Sequence, residues 1–176
     1  MLACFAEPDA GRVVQPLVNR FNFPSPIVRR ALVSGAFGSI LSTVALVACG
    51  KLETGSGAGA VNGPSEWIWG RRAAHRRDAS ARHTVLGYLI HHFASCGWAA
   101  MYERWVGTRR RTAAAGEVLA KAAATAALAA VVDYRVAPKR LRPGFEVQLS
   151  KPSLVLVYAA FAAGLAIASI RRTPGA

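Results

Sequence analysis

Charge is scarce in this sequence, and acidic charge scarcest of all. Only 18% of the 176 residues are charged, and 22 Lys and Arg residues stand against nine Asp and Glu residues. The basic residues lie between long apolar runs, whereas a soluble basic protein would spread them along its helices. This pattern is typical of a polytopic membrane protein whose flanks face lipid headgroups. A nucleic-acid partner is not expected, since no soluble core remains to carry one.

Cysteine is also scarce, and the familiar catalytic motifs are missing. The three cysteines, Cys4, Cys49 and Cys96, contain no CxxC pair, which excludes a recognisable disulfide framework or thiol-exchange motif. The sequence has no HExxH, GxSxG or GxxxxGK[ST] motif and no histidine clusters of the desaturase type. We therefore predict neither a metal nor a cofactor, and the motifs give no support to an enzyme.

The uncharged runs predict an all-α integral membrane protein, a four-helix antiparallel bundle with a short interfacial helix. A run such as Ala31–Gly50 reaches about 30 Å as a helix, one hydrocarbon thickness. Residues 1–30 are predicted to be an interfacial or flexible segment, with Val13 to Phe23 at the interface and no signal peptide. Residues 31–170 form the transmembrane domain and 171–176 a tail. The predicted spans are 31–50, 84–105, 113–132 and 152–170.

Small residues recur every fourth position on two spans. Ser34, Gly38 and Ser42 form one stripe on the first span, and the fourth span carries another at Ala160, Gly164 and Ala168. Such stripes let helices approach closely, so we expect tight packing and a homo-oligomer built on the same stripes.

One alternative concerns the first span. Residues 46–49, Leu-Val-Ala-Cys, resemble a lipoprotein cleavage box, with Arg29 and Arg30 as its basic region. That interpretation needs a start well after Met1 and leaves three further spans behind a lipid anchor, so a continuous first span is favoured.

The connection 51–83 is the longest. Residues 54–63 are rich in glycine and are predicted to be flexible. Residues 64–77 are predicted to form a short helix capped by Ser65, which lies at the membrane interface or partly re-enters the membrane. The aromatic and basic residues of this segment suit anionic lipid headgroups. They are Trp67, Trp69, Arg71, Arg72, Arg76 and Arg77.

Orientation is not set by charge. Four spans place both termini and the 106–112 loop on one side, here side A, and the 51–83 and 133–151 loops on the other, side B. Basic residues divide almost equally between the two sides, so the positive-inside rule decides nothing.

The second span carries most of the polar side chains. One helical face combines aromatic, histidine and serine residues: Tyr88, His91, Ser95, Trp98 and Tyr102. His92 and Cys96 lie on the neighbouring face. Polar groups in lipid are costly, so this face is expected to point inward. The favoured interpretation is hydrogen bonding between helices, and the alternatives are a metal or haem site and a proton relay.

Antiparallel spans bring several polar residues to a similar depth on side B. This candidate polar cluster comprises Asn62, Ser65, His83, His91, His92, Asp133 and Tyr134. In the alternative, Asp133 pairs locally with Arg135 or Lys139.

The remaining charged residues of the spans have structural interpretations. Glu117 and Lys121 are spaced for a structural ion pair, and Glu103 is interpreted as part of an ordinary membrane boundary.

Three stretches together resemble a known kind of protein. They are Asn62-x-x-Ser65-x-Trp67-x-Trp69-Gly70, Gly87-Tyr88-x-x-His91-His92, and Val132-Asp133-Tyr134 followed by Pro138-x-x-Leu141-x-Pro143-Gly144-Phe145-Glu146. This layout resembles small uncharacterised four-span proteobacterial inner-membrane proteins and is distantly similar to the YagU-like proteins. The resemblance implies a bacterial inner-membrane location and a link to acid tolerance, and it transfers no catalytic residue.

The leading hypothesis is a non-enzymatic envelope or stress-related protein that binds lipid or a partner. A small transporter or proton-conducting subunit using His91, His92 and Asp133 is the second hypothesis. A membrane enzyme or metal/haem subunit is the third.

Overall fold

The computed structural model describes residues 25–106 and 114–172. These residues form helices and contain no strand, which confirms the expected all-α class. The four long helices are α1 (Pro26–Thr54), α4 (Leu86–Val106), α5 (Ala115–Val131) and α6 (Lys151–Ile170), and two short ones are α2 (Gly57–Asn62) and α3 (Glu66–Trp69). The predicted interfacial segment 13–23 and most of the 106–112 loop lie outside the described residues.

Local signals define the ends of α1. Ser25 accepts a hydrogen bond from the Val28 amide, Pro26 is the first helical residue, and Gly55 ends the helix at a φ of 75°. The helix has 29 residues and extends about 43 Å, so it exceeds one hydrocarbon thickness. It runs uninterrupted through the buried Cys49.

Three helices are long and apolar enough to cross a membrane. They are Pro26–Thr54, Ala115–Val136 and Lys151–Ile170. The second of these joins α5 to a π-helical turn, Val132–Val136. α4 is long enough, at 21 residues, but its two histidines, its tyrosines and Glu103 reduce its hydropathy. Three of the four predicted spans therefore meet both the length and the hydropathy requirement.

α1 lies between α4 and α6, and α5 packs mainly on α6. Ser42, in the middle of α1, contacts His91 early in α4, whereas the earlier residue Ser34 contacts Glu103 late in α4. α1 and α4 are therefore antiparallel. Many large apolar side chains point outward, including Val44, Phe93 and Val155, which are 60–70% exposed. An outer surface of this kind suits lipid rather than water.

The small-residue stripes lie at contacts within the chain. Ser34, Gly38 and Ser42 are all buried. A Cβ at Gly164 would lie 2.5 Å from the Phe37 carbonyl oxygen and 2.6 Å from the Gly38 Cα, so α1 and α6 nearly touch there. The stripes are thus occupied by α1, α4 and α6 themselves.

The two side B connections pack together into what we call the loop layer, residues 55–85 and 137–150. Residues 54–63, expected to be flexible, instead include α2, in which Gly59 to Asn62 are buried. Glycine allows this because it lets backbones meet: a Cβ at Gly63 would lie 2.6 Å from the Pro143 carbonyl oxygen. The expectation of a flexible linker was wrong for this reason.

The predicted interfacial helix over 64–77 is divided. A 3₁₀ turn over Gly63–Ser65 leads into α3, Gly70 at a φ of 76° ends it, and a second 3₁₀ turn covers Arg71–His75. Ser65 does not cap α3, since its hydroxyl donates to the Asn62 carbonyl at 2.7 Å. The left-handed backbone at Gly70 prevents one continuous helix.

Candidate functional site

Both histidines of α4 are hydrogen-bonded to serines of α1. The His91 Nε2 and Ser42 Oγ atoms are 2.8 Å apart, and the same distance separates His92 Nδ1 from Ser39 Oγ. The small side chains of α1 bring its backbone close enough for these bonds to form. Each histidine therefore joins two helices.

A second polar contact lies at the side A end of the same helix pair. Glu103 is fully buried, and its Oε1 atom is 2.6 Å from an Arg172 guanidinium nitrogen and accepts a hydrogen bond from Ser34. Arg172 also donates to the Arg30 carbonyl at 3.0 Å. The interpretation of Glu103 as an ordinary boundary residue was wrong, because a carboxylate at this depth is paired rather than solvated.

The two polar contacts are separated by tight backbone packing. A Cβ at Gly35 would lie only 2.6 Å from the Cys96 Cα atom. Close packing of Gly35 on Cys96 therefore lies between the histidine pair and Glu103.

A large opening, which we call the central cavity, lies between α4 and the α5–α6 pair beneath the loop layer. Its volume is about 510 Å³. Its walls are mostly apolar and include Ile90, Ala94, Trp98, Val132, Leu141 and Phe161. Gly97 is exposed along it, and a Cβ added there would meet no atom within 4 Å.

Polar groups from three helices reach the central cavity. His91 and Asp133 both line it, as does Tyr158, whose hydroxyl donates to Asp133 Oδ2 at 2.6 Å. Asp133 thus bonds to α6, and the alternative of local pairing with Arg135 or Lys139 has no counterpart among the ion pairs of the described residues. Tyr158 was not predicted, because nothing in its own span marks it as the residue opposite Asp133.

Three further members of the candidate polar cluster, Asn62, Ser65 and His83, lie in a separate network. Asn62 donates from Nδ2 to the carbonyls of Arg76 and Asp78 and accepts from Thr84, at 2.9, 3.1 and 2.7 Å. His83 Nδ1 is 3.0 Å from Ser80 Oγ. These bonds, with that of Ser65, hold the turn leading into α4. Within the predicted cluster, His91 and Asp133 line the central cavity, whereas Asn62, Ser65 and His83 belong to the loop-layer network. The two other members do not line the cavity: His92 bonds to Ser39, and Tyr134 packs edge-on against Tyr158.

Several predicted headgroup residues also contact other residues of the protein. The Trp67 indole donates to the Arg142 carbonyl at 2.9 Å, Arg77 donates to Gln148 at 3.3 Å, and Arg76 pairs with Asp78 at 3.0 Å. Trp69, Arg71 and Arg72 remain exposed on the surface of the loop layer. The Arg82 guanidinium lies 4.1 Å from the centre of the Trp69 ring.

Potential metal ligands are sparse. Within residues 25–106 and 114–172, no three His, Cys, Asp or Glu side chains are grouped so that they could hold a metal ion. His92 and Cys96 form a pair with 3.8 Å between Nε2 and Sγ, which supplies two ligands where a zinc site needs three or four.

Comparisons with protein-family models, with curated proteins and with solved structures find no match to this chain. The resemblance to YagU-like proteins therefore stays a prediction.

Proposed function

We propose that this chain is a non-enzymatic bacterial inner-membrane protein, a bundle of four membrane-spanning helices that binds an amphipathic lipid-like molecule in its central cavity. The loop layer would lie at one membrane surface. Envelope maintenance or acid tolerance, as the YagU-like resemblance implies, is the setting we expect for this binding.

The position of α4 supports a fourth span. The helix has 21 residues, or about 31 Å, and lies antiparallel to α1. Its costly polar groups are met by partners inside the protein: His91 and His92 by serines, and Glu103 by Arg172. Because these polar groups have partners within the protein, α4 is compatible with a membrane interior despite its modest hydropathy.

The central cavity is the observation that carries the binding proposal. Its volume of about 510 Å³ falls in the range of small-molecule sites. Apolar walls suit a hydrocarbon chain, while His91 and the Asp133–Tyr158 pair offer hydrogen bonds to a polar end. A membrane supplies molecules of this chemistry at high concentration, so a lipid or free fatty acid is the expected occupant.

Filling the cavity tests the proposal. In Gly97→Phe the new side chain has room, because a Cβ there meets no atom within 4 Å, and it should occupy the cavity. We expect saturable binding of the fluorescent fatty acid cis-parinaric acid to purified wild-type protein, weakened about tenfold or more in Gly97→Phe, a loss of about 1.4 kcal/mol.

Gly116→Phe is the matched control. Gly116 is equally open but lies at the start of α5, away from the central cavity. The Gly116→Phe variant should bind cis-parinaric acid as tightly as the wild type does. Equal binding by all three proteins, or no saturable binding by the wild type, would overturn the proposal.

The transporter hypothesis finds less support because α1 and α4 pack closely at Gly35 and Cys96, between the two histidines and Glu103. Proton flux into proteoliposomes that is abolished by His91→Ala and His92→Ala would nevertheless establish it in place of passive binding.

A further inference from the structure

A second pocket opens in the loop layer, between α3 and the turn at Lys139–Leu141. We call it the Glu66 pocket. It has a volume of about 460 Å³ and is lined by Glu66, Ile68, Trp69, Arg71, Lys139 and Arg140, with Gly70 between. It shares no lining residue with the central cavity.

The inner wall of this pocket holds a carboxylate without hydrogen bonds. Glu66 is 1% exposed, and neither of its carboxylate oxygens accepts a hydrogen bond from any residue in the described part of the chain. The nearest cationic atom, Arg71 Nη1, is 3.9 Å away and equally far from Glu146 Oε1. Burial raises the pKa of Glu66, and the Arg71 charge opposes that shift. A buried carboxylate is stable only with donors, so this one requires N–H or O–H groups from elsewhere.

The mouth of the pocket carries the opposite charge. Arg71, Lys139 and Arg140 are all exposed there. Beside them Ile68 and Trp69 present apolar surface, 55% and 44% exposed. The Glu66 charge would repel a simple anion, and the three basic side chains would repel a simple cation. A ligand with a cationic and an anionic group close together satisfies both.

We infer that the Glu66 pocket binds a phosphoethanolamine headgroup of a membrane phospholipid. The primary ammonium donates hydrogen bonds to Glu66, and the phosphate accepts them from Arg71, Lys139 and Arg140. A quaternary ammonium, as in phosphatidylcholine, has no N–H to donate and leaves Glu66 unbonded. The inference rests on the proposed membrane placement but concerns a separate site, so binding in the central cavity can fail while this one holds.

Native mass spectrometry of the detergent-purified full chain tests it. Titrated with equal amounts of phosphatidylethanolamine and phosphatidylcholine, the protein should retain one phosphatidylethanolamine with about tenfold preference, the effect of one charge-assisted hydrogen bond. Glu66→Gln removes the acceptor charge and should abolish the preference. Asp78→Asn is its control, because Asp78 is an exposed acid of the same layer outside the pocket.

A second pair of variants covers the case that Glu66→Gln fails to fold. Lys139→Ala combined with Arg140→Ala alters only exposed side chains and should weaken retention of phosphatidylethanolamine about tenfold, whereas Arg72→Ala, exposed but outside the pocket, should not. Equal retention of both lipids by the wild type would overturn the inference. So would calorimetric binding of soluble phosphoethanolamine without any response to phosphatidylethanolamine, since the ligand would then not be a lipid.

Discussion

Three serines of α1 each contact a polar side chain of α4. Ser42 and Ser39 bond to His91 and His92, and Ser34 bonds to Glu103. In lipid an unsatisfied polar group costs several kcal/mol, so such pairs are made in the interior of a membrane protein. Serine serves here because it supplies a hydroxyl and is small enough for the helices to approach.

The buried charge of Glu103 should make Arg172 important for stability. Arg172→Gln leaves that carboxylate without its cation, and we expect a loss of about 3 kcal/mol. The measurement is unfolding of the purified protein in mixed detergent and dodecyl sulfate.

Lys121→Gln is the comparison for that variant. It breaks the ion pair between Lys121 and the half-exposed Glu117, which should cost only about 0.5 kcal/mol. An equal loss of stability in the two variants would show that the Glu103–Arg172 pair contributes no more than an exposed ion pair.

At the scale of elements, glycine determines how closely the long helices approach. Gly35 lies against Cys96 of α4, and Gly38 faces Gly164 of α6. Other glycines, such as Gly97, face open space. The same residue type therefore has opposite roles on one helix pair, and its effect on stability depends on what lies opposite.

Alanine at the two kinds of position should act in opposite directions. In Gly35→Ala the added Cβ would lie 2.6 Å from the Cys96 Cα, and overpacking should cost about 1–3 kcal/mol. Gly97→Ala should be neutral or stabilise by up to about 1 kcal/mol through helix propensity. Thermal unfolding in detergent measures both, and a destabilised Gly97→Ala beside an unaffected Gly35→Ala would contradict the packing.

The elements differ in how far their sequence predicts them. Long apolar runs with few charges predict the helices α1, α5 and α6, since few alternatives satisfy the backbone of such runs. Residues 54–63 were mispredicted because their glycines are compatible with both a flexible linker and close packing. The packing depends on partners far away in sequence, such as Pro143 against Gly63 and Gln148 against Gly59.

At the scale of the whole molecule, the sequence predicts the level of a residue along the helices but not the side chain with which it pairs. Opposite helix directions put His91 and Asp133 at one level, and both line the central cavity. The partner Tyr158 lies on α6 and the partner Arg172 lies just beyond its C-terminal end. The sequence does not indicate how α6 is rotated about its axis. The sequence carries one signal for the pairing of Glu103. It is the only acidic residue of its predicted span, and Arg171 and Arg172 lie at the same end of the predicted bundle.

We propose above all that α4 crosses the membrane, because the access of lipid to the central cavity and the placement of the loop layer at one membrane surface depend on it. Labelling tests it in a chain whose cysteines are replaced by alanine, with either Asp78→Cys or Arg110→Cys added. These positions flank α4. A membrane-impermeant maleimide should label one of them in intact spheroplasts and the other only after permeabilisation. Labelling of both from the same side would contradict the account.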